Sequence, residues 1–327
     1  MDYIKFIKLA IGTMLAIILA RYLHLNNAYS AGIITLISIA DTRKTTLKIA
    51  YQRIISLLLV LFIGITIFYY VGYNLLSFIL ILIIFIPISM KFEIMIGLVP
   101  SLVLLGHIFE LQKISKDIVL NEIYLMLISV IIASILNLYM PSKENEIILY
   151  KNKIENQIKT ILYIFYFKLT PSEKRFSFIK EKLPKENLSY IFDSLNTDIE
   201  KMASIISVEE DNKLFKYKGY DKQYLITRMK QYNTLKYMYS SIELIKIDRK
   251  ESEKLAALFY LTAEQVSEFN SCEYILKDLA VLTENYRKGE LPKNRDEFED
   301  RAILYRLLTD FKRFLEIKNT FVKLNSK

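Results

Sequence analysis

The feature that most constrains this chain is a run of 37 residues, from Ile54 to Met90, without a single charged side chain. As one helix the run would be about 55 Å long at about 1.5 Å per residue, whereas the hydrocarbon core of a bilayer is about 30 Å thick. The run is therefore predicted to fold back on itself. Its only turn-like cluster is residues 72–74 (Gly-Tyr-Asn), which predicts two membrane helices, over about 51–71 and 75–90.

Four further apolar segments predict four more crossings, which gives a six-helix transmembrane domain over residues 1–141. The distribution of cations agrees with six, because ten flanking lysines and arginines then lie on one side and three on the other. Basic residues favour the cytoplasmic side, so we predict a multi-pass membrane protein with cytoplasmic N- and C-termini. The four further segments are about 4–23, 28–40, 94–109 and 123–140.

The first two segments each have a second interpretation. Residues 28–40 are short enough for a re-entrant loop, but Lys5 and Lys8 would then face the opposite side from the cations of 43–53, against the charge rule. The N-terminus also imitates a secretory signal peptide, with two lysines followed by an apolar run. Arg21 fits that interpretation badly, because it follows the apolar run directly.

The charge of the chain is divided unevenly. Residues 1–140 contain 16 charged side chains, whereas residues 141–327 contain 63, which excludes a single water-soluble globule. No segment alternates polar and apolar residues with period two, so the chain is predicted to be all-α, with a cytoplasmic helical domain over 142–327. The part from about residue 172 onward is predicted to fold alone. About five helices are predicted, over about 142–169, 186–208, 221–246, 250–287 and 294–324.

Common enzyme signatures are absent from the sequence. The two histidines, His24 and His107, are both predicted on the outer side, so a cytoplasmic Ser-His-Asp or Cys-His site has no histidine available. The single cysteine, Cys272, forms no intramolecular disulfide and offers no cysteine pair for zinc. We therefore predict that the protein is not an enzyme and has no cofactor and no metal site.

The net charge of +9 resembles that of a nucleic-acid-binding protein, but it divides as +4 and +5 between the two parts. The second part mixes both signs densely, which is typical of solvated helix faces. Residues 213–224 alternate basic and aromatic side chains, a pattern found in single-strand binders, in loops on anionic lipid and in plain connectors. We favour the connector and predict no nucleic-acid partner.

Arg53, Arg43 and Lys44 are the candidate substrate-binding residues. They belong to the densest charge group of the membrane part, and Arg53 is the last charge before the uncharged run. A guanidinium can bind a carboxylate through two parallel hydrogen bonds. The alternative interpretation is that these cations only fix the topology and contact lipid headgroups.

His107 and Glu110 form a candidate proton relay. They are three residues apart, so they share one helix face near the predicted outer side. Histidine exchanges its proton near neutral pH, as a relay requires. The alternative is a solvated loop.

Three short motifs near the N-terminus resemble the start of the bacterial aromatic acid exporter family. They are residues 30–36 (Ser-Ala-Gly-Ile-Ile-Thr-Leu), residues 42–45 (Thr-Arg-Lys-Thr) and the pair Gln52-Arg53. Residues 137–142 (Asn-Leu-Tyr-Met-Pro-Ser) resemble the passage from membrane domain to C-terminal domain in that family. The resemblance covers the whole chain and, more distantly, extends to fusaric-acid-resistance-type proteins. It implies proton-driven efflux of aromatic carboxylates across the bacterial plasma membrane.

The leading functional hypothesis is thus a secondary exporter of aromatic or other small organic acids. The alternative is a non-transporting membrane scaffold or regulator whose helical bundle binds a protein partner. The sequence contains no internal repeat, whereas transporters commonly enclose their site between two related halves, so we expect a homodimer. The expected partners are the lipid bilayer, a small organic anion and a second copy of the chain.

Overall fold

The computed structural model describes residues 3–170, 177–184, 187–213, 219–245 and 250–325, and over these ranges every regular element is a helix, as the sequence predicts. Contacts divide the chain into two compact units. The first unit comprises Met1–Ser142 and Val208–Lys216, and the second comprises Lys143–Ser207 and Tyr217–Lys327. The predicted domain boundary follows residue 141, and no sequence pattern indicated that 208–216 group with the first unit.

Six apolar helices form the main part of the first unit. A short 3-10 turn, Met95–Gly97, precedes the fifth helix. The helices are α1 Tyr3–Tyr22, α2 Ala28–Ser38, α3 Arg43–Val71, α4 Leu75–Lys91, α5 Leu98–Leu111 and α6 Lys116–Leu138.

Side-chain caps determine where two of these helices begin. The Oγ1 of Thr42 accepts a hydrogen bond from the Thr45 N–H, so α3 begins about two turns before the predicted residue 51. The Oγ of Ser115 accepts a hydrogen bond from the Ile118 N–H, so α6 begins at Lys116 and not at the predicted residue 123. Hydropathy locates the apolar run of a membrane helix, whereas its capped polar turns extend beyond that run.

The contacts of α1 and α6 define two ends of the first unit. The Nζ of Lys8 donates to Asn137 Oδ1 at 3.3 Å, and Asn137 in turn donates to Thr46 near the beginning of α3. At the other end the Asn26 N–H donates to Asn121 Oδ1 at 2.8 Å. Helices α1 and α6 are therefore antiparallel. We call the end that holds Lys8 and Asn137 the basic end, and the end that holds Asn26 and Asn121 the histidine end.

Helices α3, α4 and α5 continue this alternation of direction. At the basic end the Gln52 side chain donates to the carbonyl of Glu93, just after α4 ends. At the histidine end the rings of Phe68 and Phe109 lie 5.8 Å apart, which joins the last turns of α3 and α5. Helices α3 and α5 are thus parallel to each other and antiparallel to α4. Consecutive helices alternate in direction from α1 to α6.

Helices α1, α3 and α6 are long and apolar enough to cross a membrane, and α2, α4 and Met95–Leu111 are shorter apolar helices. Their outward faces are apolar. Only 22% of the most hydrophobic stretch of α1 is buried, and 33% of that of α3. Large side chains such as Phe62, Ile83 and Val99 are exposed. An apolar surface of this extent is typical of contact with lipid.

One close approach between segments requires a glycine. Ser56 of α3 lies against Gly97. A Cβ atom on Gly97 would lie 2.9 Å from the Gln52 carbonyl oxygen and would also clash with the Ser56 side chain. Gly97 therefore allows the Met95–Gly97 turn to pack closely against α3.

The second unit is a helical bundle in the described residues. Its core is made of side chains from α7, α9, α10, α11, α12 and α13. The last turn of α9 extends into residues 208–212, which belong to the first unit. The helices are α7 Glu144–Leu169, α8 Ser177–Lys182, α9 Leu188–Asn212, α10 Tyr220–Ile242, α11 Lys250–Glu264, α12 Glu273–Lys288 and α13 Arg295–Asn325.

The single helix predicted over 250–287 is wrong, because the structure has two helices there. Between them Asn270 accepts a hydrogen bond from the Cys272 N–H at 2.8 Å and donates to the Gln265 carbonyl at 3.2 Å. Cys272 has a φ of 58°, in the left-handed region. Asparagine side chains that bond to nearby backbone groups compete with the helix, and here they replace it with a tight turn.

Helix α7 is part of the core of the second unit. Its apolar stripe, which includes Ile154, Ile158, Ile161 and Phe165, is fully buried there. A fragment that begins at residue 172 would lack this stripe. The compact second unit begins at Lys143. We therefore expect that residues from 172 onward do not suffice, and the sequence-based prediction that they fold alone stays untested.

Candidate functional site

Arg53 is buried, with 3% of its surface exposed, and it joins α3 to the C-terminal end of α2. Its Nη1 donates to the Ile34 carbonyl at 2.8 Å and to the Ser38 hydroxyl, and its Nη2 donates to the Ile37 carbonyl at 2.9 Å. The last carbonyls of a helix have no partner within that helix and carry partial negative charge. Arg53 supplies donors to this end of α2.

All of these partners of Arg53 are neutral groups. No acidic side chain in the described residues pairs with it, and its buried Nε has no hydrogen-bond partner. The sequence predicts that Arg53 binds a substrate carboxylate. The observed contacts instead show both terminal nitrogens hydrogen-bonded to the end of α2. The role of Arg53 in anion binding stays a prediction.

Arg43 and Lys44, the other two predicted anion ligands, contact the end of α9 within the first unit. The Arg43 N–H donates to Asn212 Oδ1 at 3.1 Å, and its Nη1 donates to the Asn212 carbonyl at 3.1 Å. The Nζ of Lys44 lies 3.3 Å from the carboxylate of Asp211. Two cations thus face a helix C-terminus, where positive charge is favourable. Their role in substrate binding stays a prediction.

A set of buried polar side-chain atoms without hydrogen-bond partners lies on α3, α4 and α5. Besides Arg53 Nε, the buried side-chain atoms of α3–α5 without a partner are Arg43 Nε, Gln52 Oε1 and the hydroxyls of Ser56, Ser89 and Ser101. Ser56 packs against the Met95–Gly97 turn, and Ser101 lies one helical turn after Gly97. The Ser89 carbonyl accepts a hydrogen bond from the Ile94 N–H, directly before that turn. Buried polar groups are nearly always hydrogen-bonded, so such a set requires an explanation.

His107 pairs with a residue that sequence analysis did not identify. Its Nδ1 lies 2.8 Å from Glu122 Oε2, across from α5 to α6, and Glu122 is 1% exposed. Glu110, the predicted partner of His107, is exposed at the last turn of α5. The observed partner of His107 is thus Glu122, and the relay predicted for His107 and Glu110 stays a prediction. A spacing rule within one helix could not find it, because the two residues belong to different helices.

The predicted site residues fall into two groups. Arg53, Arg43 and Lys44 lie on the first three turns of α3, toward the basic end, whereas His107 lies on the last turn but one of α5. Because α3 and α5 are parallel, the histidine group is at the opposite end of the first unit. The structure thus does not bring the predicted anion ligands and the predicted relay together.

The second unit contains its own buried cation. Arg228, 2% exposed, donates from Nη2 to the Glu155 carboxylate and from Nη1 to Gln231 Oε1 at 2.8 Å. Its guanidinium also lies 4.8 Å from the centre of the Tyr224 ring. Close by, burial lowers the pKa of Lys318 to about 7. This polar network is built from α7, α10 and α13.

Two further sequence-based expectations concern a metal site and the basic and aromatic segment of residues 213–224. The described residues contain no group of three or more histidine, cysteine, aspartate or glutamate side chains that could hold a metal ion. Residues 214–218 of the basic and aromatic segment lie outside the described ranges. The last of its tyrosines, Tyr224, lies in α10 with the Nζ of Lys151 5.0 Å from the centre of its ring.

Comparisons with known proteins cover nearly the whole chain. The family "Aromatic acid exporter family member 1" matches residues 3–140, and the "Putative aromatic acid exporter C-terminal domain" matches residues 144–319. "Uncharacterized protein YqjA" of Bacillus subtilis (strain 168) is 30% identical over 315 residues, which cover 96% of this chain and 94% of the relative. The crystal structure of a "putative membrane protein" from Clostridium difficile 630 is similar with a TM-score of 0.45 and 20% identity, over 54% of this chain and 99% of that chain. The chain described here is a membrane protein that belongs to the aromatic acid exporter family.

Proposed function

We propose that this protein is a secondary exporter of small organic acids, aromatic carboxylates among them, in the bacterial plasma membrane. Membership of the aromatic acid exporter family supports the proposal. Six apolar helices that alternate in direction, with an apolar outward surface, suit six crossings of a bilayer. The observation that carries the proposal is a buried arginine without an acidic partner, together with buried polar atoms of α3, α4 and α5 that have no hydrogen-bond partner.

The proposed topology puts the basic end at the cytoplasm. That end includes most cations of the first unit, and basic residues favour the cytoplasmic side. A reporter that is active only in the cytoplasm should therefore be active when fused after the C-terminal residue and inactive when fused after Gly72, between α3 and α4. The reverse pattern would overturn the orientation, and activity at both positions would overturn the crossing of α3.

In the proposed mechanism the carboxylate of the exported acid binds at Arg53. The guanidinium presents a planar array of donors that matches a carboxylate. The unpaired Arg53 Nε is one donor, and Nη2 can exchange the Ile37 carbonyl for a carboxylate oxygen. The serine hydroxyls of α3, α4 and α5 can then bond the hydroxyl or carboxyl oxygens of the ligand. Since Nη2 also holds the end of α2, binding of the anion would release that end.

A homodimer is part of the proposal. Six helices without an internal repeat provide one half of the arrangement that transporters commonly build from two related halves. Light scattering of the purified protein in detergent and in nanodiscs should give the mass of two chains. A mass of one chain under both conditions would contradict the homodimer. It would not by itself contradict transport, which single chains would then carry out.

The test of the proposed function is flux through the purified protein. Proteoliposomes should take up 4-hydroxybenzoate in a saturable, pH-dependent way, above the background of protein-free vesicles. Absence of flux for a panel of aromatic and aliphatic acids would contradict it. Together with a stable protein partner recovered on the second unit, that result would favour the alternative of a membrane scaffold or regulator.

A further inference from the structure

Glu122 is the one buried acid of helices α1–α6 in the described residues. The other acidic side chains of these helices, Glu110 and Asp117, are exposed. A buried carboxylate in an apolar helix bundle costs free energy, and ionisable residues at such positions commonly lie on ion or proton pathways. The position of Glu122 therefore calls for a functional explanation.

The surroundings of Glu122 hold its carboxylate in a fixed position. Its Oε2 lies 2.8 Å from His107 Nδ1, and its Oε1 accepts from Asn121 Nδ2 at 2.9 Å. On the far side of the imidazole, His107 Nε2 lies 3.4 Å from the hydroxyl of Ser30 in α2. Asn121 is itself bonded to both backbone groups of Asn26. Three helices and the turn between α1 and α2 thus meet at this pair.

No second charged group contacts the pair in the described residues. The groups that face it are the hydroxyl of Ser30 from α2 and the amide of Asn121 from α6, both neutral. The charged residues of the same end do not touch it. Arg21 donates a hydrogen bond to the Tyr29 hydroxyl. The other charged residues at this end are exposed: Glu110, Lys113, Lys116 and Asp117.

We propose that His107 and Glu122 form the proton-binding site that couples organic acid export to proton movement, an inference that rests on the proposed function. One proton held between Nδ1 and Oε2 makes the pair neutral overall. Loss of that proton leaves a net negative charge on Glu122. The pair therefore gains or loses one whole charge in a setting where charge is costly, and this change can bias α5 and α6 between two arrangements.

The path for the proton follows from the exposure of the two side chains. The His107 side chain is 13% exposed and that of Glu122 is 1% exposed, so water reaches the imidazole first. Histidine exchanges its proton rapidly near neutral pH and is the natural entry point. Glu122 is the inner acceptor. The site lies about the length of α5 away from Arg53, so proton and anion need not compete for one position.

The experiment compares two transport modes in proteoliposomes with 4-hydroxybenzoate as the probe. In Glu122→Gln the amide oxygen can still accept from Asn121 Nδ2, and the amide nitrogen can donate to an unprotonated His107 Nδ1, but the side chain can no longer bind and release a proton. We expect this variant to lose uptake driven by an imposed pH gradient while it keeps exchange of labelled for unlabelled acid at equal concentrations. Asp117→Asn, which removes an exposed carboxylate from the same helix, should behave as wild type in both modes.

Each possible result supports or contradicts the proposed role of the His107–Glu122 pair. Loss of both modes in Glu122→Gln, with normal insertion, would mean that the pair only holds the helices together and would overturn the proposal. Gradient-driven uptake at the wild-type level would also overturn it. Failure of the wild-type protein itself to exchange the acid would instead contradict the proposed function, and exchange in wild type without any response to the pH gradient would contradict proton coupling alone.

Discussion

Arg53 in the first unit and Arg228 in the second are equally buried, with 3% and 2% of their surfaces exposed, but their partners differ in kind. Arg228 donates to the carboxylate of Glu155, so its charge is neutralised within the chain. Arg53 donates only to carbonyls and a hydroxyl. A buried cation without an acid is costly, and it leaves a positive site at which an incoming anion is attracted. We therefore propose that the same residue type stabilises the second unit and binds an anion in the first.

The largest expected effect concerns how each unit buries its apolar side chains. The second unit should fold in water as residues 143–327, whereas residues 172–327 should not fold. Removal of α7 deletes ten buried residues, each worth about 1.5–3 kcal/mol, from a fold whose net stability is typically about 5–15 kcal/mol. Circular dichroism with thermal melting tests both fragments. A cooperative, helical melt of residues 172–327 would show that α7 is dispensable.

Arg228→Met should destabilise the 143–327 fragment by up to about 3–5 kcal/mol, because Glu155, whose side chain is only 17% exposed, would lose its cation. The double variant Arg228→Met, Glu155→Leu should recover much of that loss. Urea unfolding measures both, and Lys230→Met, an exposed cation on the same helix, is the control. A loss within error of the control would mean that the pair contributes no stability, and the contrast with Arg53 would fail.

Lys318 should give the second unit a characteristic pH dependence. Its pKa is about 7 in the folded state, lowered mainly by burial and also by the nearby Arg228, against 10.5 ordinarily. The unfolded chain therefore binds more protons between these values, so the free energy of unfolding should rise with pH across this range, with a slope of up to about 1.4 kcal/mol per pH unit. Urea unfolding of Lys318→Met should lack this rise, whereas exposed Lys312→Met should keep it. An unchanged slope in Lys318→Met would contradict the assignment.

Much of the fold follows from the sequence because apolar runs and charges are strong signals. The uncharged run with its turn at residues 72–74 predicts α3 and α4, and the structure begins α4 at Leu75 as predicted. Local hydrogen bonds are weaker signals. The cap at Thr42 lengthens α3, and Asn270 divides the helix predicted over 250–287, because side-chain bonds to the backbone decide helix ends over two or three residues.

The candidate site was harder to predict, because its contacts join helices that are distant in the sequence. Periodicity selected Glu110 as the partner of His107, since residues three apart share a face, but the paired acid is Glu122 on the next helix. Likewise the position of Arg53 was predictable as the last cation before the apolar run. Its contacts with Ile34 and Ile37 depend on how α2 packs, which no local pattern encodes.

The most direct test of the account is exchange of 4-hydroxybenzoate in proteoliposomes that contain matched amounts of wild type, Arg53→Lys and Arg53→Ala. Lysine keeps the charge but lacks the planar fork, so Arg53→Lys should weaken exchange in part and Arg53→Ala should abolish it. Lys48→Ala, an exposed cation on the same helix, and Ser38→Ala, which removes one neutral partner of Arg53, should both retain exchange. Exchange at the wild-type rate in Arg53→Ala would contradict the account and leave Arg53 as a contact that only fastens α2 to α3.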